Sequence, residues 1–136
     1  MRKVLAVISG LLVANVVFFL GSLVANALYP TPPELMDPQT PEATALRVAS
    51  AETNSLVLLI LGGALGGFLG GTTGAKLARD RTFAVTSAIG ILLAPWAIYS
   101  FYVFFPARLW FPIGMLVAFL VSTFLGGIVA KRTQAK

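Results

Sequence analysis

The sequence predicts an all-α, polytopic membrane protein: four transmembrane helices in an antiparallel bundle, with both chain ends on the cytoplasmic side. Three observations carry this. Hydrophobic residues make up 57% of the 136 and charged residues only 11%, whereas a water-soluble domain sits nearer roughly half and a quarter. The apolar residues fall almost entirely in four long runs. Lysine and arginine are divided between the two ends of those runs eight against two. A chain of this length makes at most one compact unit, a single transmembrane domain over 1–136.

The first run, 4–28, follows the basic start Arg2-Lys3. At ~1.5 Å per residue it crosses a ~30 Å hydrocarbon core with some tilt. Its end, Ala25-Asn26-Ala27, imitates the small-x-small site of a cleavable signal peptide. The apolar run is longer than the ~7–15 residues of a signal core, so a retained span is the reading adopted. An outer loop, 29–54, comes next and holds Pro30, Pro32, Pro33, Pro38 and Pro41. Tyr29-Pro30-Thr31-Pro32-Pro33 cannot be helical and gives a stiff, extended exit. Thr40-Pro41-Glu42 then reads as an N-cap, a first-turn proline and a dipole-matching acid. It predicts a helix over 41–53, either lying on the membrane or running straight into the second span. The remaining spans are 56–77, 83–105 and 109–130. Their connections are too short for anything but antiparallel hairpins.

Orientation follows from the basic residues. Arg2, Lys3, Lys76, Arg79, Arg81, Lys131, Arg132 and Lys136 fall on one side, Arg47 and Arg108 on the other. The richer side is expected in the cytoplasm of a bacterial inner membrane. Tyr29, Tyr99, Tyr102, Trp110 and Phe111 gather at the expected outer boundary, where amphipathic rings prefer to sit. The net charge of +5 therefore points to topology and anionic lipid headgroups rather than to nucleic acid.

The chemistry of the chain is sparse. It has no cysteine and no histidine, which removes disulfides, thiolate nucleophiles and the commonest general base and metal ligand. Apart from basic residues at their ends, the spans contain no Asp, Glu, Lys, Arg or His. Intramembrane carboxylates and histidines are the usual proton carriers of coupled transport. Asp80, between Arg79 and Arg81, reads as a solvated turn acid. No enzyme, cofactor or metal site is expected.

Small residues are the strongest pattern. In the second span Gly62, Gly66 and Gly70 recur at four-residue spacing, as do Gly63, Gly67 and Gly71, and the run closes on Gly74. At ~100° per residue the two rows bare about half of the helix. Between lipid tails helices associate by close backbone approach, which glycine permits. The fourth span carries a second stripe, Gly114, Ala118, Ser122 and Gly126, ending on Ala130. Phe68-Leu69-Gly70-Gly71 recurs as Phe124-Leu125-Gly126-Gly127. Either a duplicated helical hairpin or convergent packing composition accounts for that repeat. In the first span Asn15, Ser22 and Asn26 share a narrow stripe, a polar lining for a solute or a set of packing contacts. In the third, Pro95 predicts a kink, with Trp96 filling the space it opens.

Leu28-Tyr29-Pro30-Thr31-Pro32, the proline- and acid-bearing stretch 38–42 and the glycine-rich run Gly62 to Arg79 resemble a family of small bacterial four-helix inner-membrane proteins without an assigned activity. The resemblance covers about the first 80 residues. Members carry an acidic residue and a histidine before the Tyr-Pro, where this chain has Ser22 and Asn26. The resemblance implies the fold but no ionisable site. The sequence thus leads to a non-enzymatic membrane protein acting through helix association, as a homo-oligomer or accessory subunit, with lipid as a further partner. Its alternative is a small channel or transporter for an uncharged solute or ion.

Overall fold

The computed structural model describes residues 1–30, 33, 46, 49–104 and 108–136. Four helices follow in order: α1 Arg2–Leu28, α2 Thr53–Ala78, α3 Thr82–Phe104 and α4 Trp110–Gln134. Each is long and apolar enough to cross a membrane, with mean hydropathy of 2.5, 1.8, 1.6 and 2.3 over the best windows. The helix ends lie within a few residues of the expected spans. The largest extension is at the C-terminus, where Lys131 and Arg132 form the last turn of α4. Cations there complement the carbonyl end of the helix dipole.

Large apolar side chains point outward all around the bundle, among them Leu12, Phe19, Leu65, Ile91 and Val117. Water would penalise such a surface; hydrocarbon does not. The interior, conversely, is built from small groups around a few large ones. Ala6, Ala14 and Ala75 are buried with Ile89, Met115 and Phe119.

Helix α2 is the central element. Its partners run antiparallel (α1, meeting it from Ala6 beside Gly74 to Gly21 beside Gly62) and parallel (α4, from Gly114 beside Ile60 to Gly126 beside Thr72). Helix α3 runs antiparallel to α4, with Gly90 against Leu120 and Gly127 against Thr86. Both chain ends consequently lie at one end of the bundle. There Gln134 Nε2 donates to the Lys76 carbonyl at 3.0 Å. At the other end Arg108 ties α4 to the entry of α2. Its guanidinium donates to Thr53 Oγ1 at 3.1 Å and to the carbonyls of Ala51 at 2.9 Å and Ala49 at 3.4 Å.

That entry decides part of the loop question. Most of the helix expected over 41–53 lies outside the described residues. Ala49 and Ser50 are helical, Ala51 bends, and Glu52 is extended at φ −67°, ψ 136° before α2 begins. The chain does not run straight into the span. Helix α3 carries Pro95 in its interior and continues past it. One other expectation needs correction. Trp96 fills no interior space: it is 49% exposed, with its ring 6.1 Å from that of Phe18 and 6.4 Å from that of Tyr99. At the expected outer boundary Phe111 is buried in the bundle, while neighbouring Trp110 is exposed.

Candidate functional site

The two glycine rows of α2 have different partners. Gly62, Gly66 and Gly70 face α1, and Gly63, Gly67 and Gly71 face α4. A Cβ on Gly66 would stand 2.6 Å from the Ala14 carbonyl oxygen, and one on Gly70 would strike the Gly10 carbonyl and come 2.8 Å from Ala14 Cβ. On the other row, a Cβ on Gly71 would meet the Thr123 backbone and one on Gly67 the Ser122 hydroxyl. Gly74, below both rows, admits Ile89 of α3, whose Cδ1 would lie 2.5 Å from an added Cβ. Backbone thus packs on backbone on two sides of one helix, the condition under which dispersion alone holds helices together in lipid.

The stripe of α4 answers from the opposite side. Gly126 sits against Phe68 and Thr72 of α2, and Gly114 against Ile60. Ser122 and Ala130 are buried, and Ala118 is half-buried. Thr72 Oγ1 reaches its own Phe68 carbonyl at 2.8 Å and the Gly126 carbonyl across the interface at 3.2 Å. Sequence reasoning passed over Thr72, although a threonine directly after a double glycine row is a natural donor for such a bridge. Average bonds of this type contribute about 0.6 kcal/mol, so Thr72 sets register more than stability.

The repeated Phe-Leu-Gly-Gly motifs are not used alike. In α2 the first glycine of the final pair, Gly70, meets the preceding helix, α1, and the second, Gly71, meets α4. In α4 the assignment is exchanged: Gly126 meets α2, and Gly127 meets the preceding helix at Thr86. A twofold axis relating two duplicated hairpins would preserve the roles. The likeness is one of composition.

Two of the three residues of the polar stripe of α1 bond within their own helix. Asn15 Nδ2 donates to the Leu11 carbonyl of its own helix at 2.8 Å, and Ser22 Oγ to the Phe19 carbonyl at 2.7 Å. Asn26 is exposed near the helix end. Hydroxyls elsewhere follow the same habit, with Thr73, Thr86, Thr123 and Thr133 each bonded to a carbonyl one turn back. Among the described residues no buried side-chain polar atom lacks a partner, and no cluster of metal-ligating side chains occurs. Asn15→Leu is therefore expected to shift the midpoint of unfolding in detergent by the equivalent of less than ~1 kcal/mol, since one local bond is lost and nothing is left unpaired.

Concave space lies instead between α3 and α4. One groove, about 440 Å³, is walled by Thr86, Ser87, Gly90 and Ile91 of α3 and by Leu120, Val121, Phe124 and Leu125 of α4. A second, about 530 Å³, shares Thr86 and Phe124 with the first and continues to the end of the bundle that carries both termini. Its wall includes Phe83, Gly127 and Ile128, and its mouth Arg79, Arg81, Lys131 and Arg132 with the single acid Asp80. Phe83 and Phe124 meet edge to face at 4.9 Å where the two join. Thr86 Oγ1 is occupied by the Thr82 and Phe83 carbonyls at 3.0 and 3.1 Å, so it offers the groove little polarity.

The backbone at the mouth is unusual. Arg79 has φ 53° and ψ −66°, and the Asp80 amide donates to the Ala78 carbonyl at 2.7 Å. This is a three-residue γ-turn of the strained, positive-φ form, which costs a non-glycine residue roughly 1–3 kcal/mol. The tight turn ends α2, starts α3 and sets Arg79 and Arg81 at the same opening.

Taken together, the described residues form four helices of membrane-spanning character with a lateral groove between α3 and α4. No protein-family model, curated protein or solved structure matches it.

Proposed function

We propose that this chain is a non-enzymatic integral membrane protein that works by association within the bilayer, as a homo-oligomer or an accessory subunit, holding a membrane-resident partner against the α3–α4 face. One observation carries the reading: the glycine rows are consumed in fastening α1 and α4 to α2, and the concave surface left open to lateral contact is the α3–α4 groove. Want of histidine and cysteine, and hydroxyls engaged by their own helices, support a role without chemistry. The division of basic residues supports placing both termini in the cytoplasm and the bundle in a bacterial inner membrane. A solute path through the bundle is the weaker reading, because Asn15 and Ser22, two of the three groups expected to line it, are bonded to their own helix.

The test is mass measurement of the protein released from membranes in mild detergent. The wild type is expected to carry bound mass, a second copy, another subunit or lipid, and Gly90→Leu to lose it. A bare monomer in both cases would defeat the proposal.

A further inference from the structure

We infer that the partner of this groove is an anionic phospholipid of the leaflet at the basic end, its acyl chain in the α3–α4 groove and its phosphate among Arg79, Arg81, Lys131 and Arg132. The inference rests on the association reading and names the partner of the same site. Three features of the groove fit a lipid better than a helix.

The first is its length. The two grooves adjoin, with Thr86 and Phe124 in the walls of both, and on α3 their linings together extend from Thr82 to Ile91. Nine residues at ~1.5 Å each give roughly 14 Å, close to the ~15 Å hydrocarbon depth of one leaflet. A partner helix would need a face along the whole span; this groove ends near mid-membrane.

The second is polarity. The deep part is walled by Ile91, Leu120, Val121 and Phe124 around the bare backbone of Gly90, and its threonine is already hydrogen-bonded. Ser87 is the other hydroxyl on this wall, and the rest of the lining asks for no hydrogen bond from an occupant. An alkyl chain needs none.

The third is charge complementarity. Four cations and one acid surround the mouth. Lysine and arginine at this depth attract anionic headgroups, and an arginine guanidinium can grip two phosphate oxygens at once. A zwitterionic lipid would fill the groove equally well but gain less at the mouth.

Two variants separate the parts. A Cβ on Gly90 would meet Leu120 Cδ2 at 3.4 Å, an ordinary contact, so Gly90→Leu obstructs the groove without touching the α2 interfaces. Arg79→Gly removes a cation and also relieves the positive-φ turn, offsetting the helix-dipole stabilisation given up by Arg132→Gln, and the thermal unfolding of the double variant Arg79→Gly/Arg132→Gln separates lost lipid from a weaker fold.

The experiment is native mass spectrometry after reconstitution in vesicles of equal parts phosphatidylglycerol and phosphatidylcholine, with thermal unfolding recorded alongside. The wild type is expected to retain phosphatidylglycerol in preference to phosphatidylcholine. Gly90→Leu should retain neither. The double variant, folded as well as the wild type, should lose the preference by roughly 30-fold, about fivefold per cation. Equal retention of both lipids by the wild type, or retention unchanged in both variants, means annular lipid only and overturns the inference. If Gly90→Leu instead releases a second copy or another subunit while phosphatidylglycerol stays bound, the lipid assignment is wrong and the association reading stands. If it releases nothing of any kind, both fall.

Discussion

Gly70→Ala is expected to destabilise the protein severely, while Gly62→Ala, two turns away on the same glycine row, is expected to be almost silent. A methyl at Gly70 would strike the Gly10 carbonyl and lie 2.8 Å from Ala14 Cβ. Neither obstacle is the free end of a flexible side chain, so one helix must move off the other. Overpacking of this sort costs typically 1–3 kcal/mol, and about 2 kcal/mol lowers the folding equilibrium some 30-fold. At Gly62 the nearest atom to the new methyl is Gly21 Cα at 3.4 Å, an ordinary contact. Alanine there also gains helix propensity of up to ~1 kcal/mol. Folded fraction against the mole fraction of a denaturing detergent gives both numbers. Equal losses at the two positions would show that helix propensity or lipid solvation, rather than contact with α1, governs the row.

The second large effect is one of sidedness. The native chain contains no cysteine, so single cysteines report without a background. Glu52→Cys, at the entry of α2, is expected to react with a membrane-impermeant maleimide in intact cells, after permeabilisation of any outer membrane. Ala135→Cys, beyond the last turn of α4, should stay unlabelled until the inner membrane is opened. Both sites are exposed, so burial cannot mimic protection. With basic residues divided eight against two, labelling should be nearly all or none at each site. Comparable labelling of both in intact cells would reveal two populations of opposite orientation and remove the basis for placing the basic groove mouth in the cytoplasm.

Much of the architecture was legible beforehand because hydrocarbon imposes simple demands. An apolar run must be long enough to cross, and its backbone must satisfy itself as a helix. The spans 56–77 and 83–105 therefore lie within a few residues of α2 and α3. The glycine rows announced two close neighbours for α2 but could not say which. That depends on the rotation of each helix, which a pattern of small residues leaves free. How the polar stripe of α1 bonds was hidden for a related reason. Spacing places Asn15 and Ser22 on one face, yet an amide or hydroxyl in a helix can turn back to its own carbonyls, and both do. Trp96 was assigned to the interior from depth alone, although an indole remains comfortable against lipid and a neighbouring ring. The groove was invisible in the sequence because it is space between two helices. Gly90, a lone glycine in the third span, was its one trace.

The central position of α2 also dictates an order of events at the ribosome. Helix α1 can close over the row at Gly66 and Gly70 as soon as the first hairpin has entered the bilayer. The row at Gly67 and Gly71 must wait for Ser122 and Thr123, the far end of the nascent chain. Until then half of the least protected backbone in the molecule stands open to whatever passes in the membrane. A stalled or truncated chain ending before α4 would keep that surface exposed to lipid and to whatever helix can approach it.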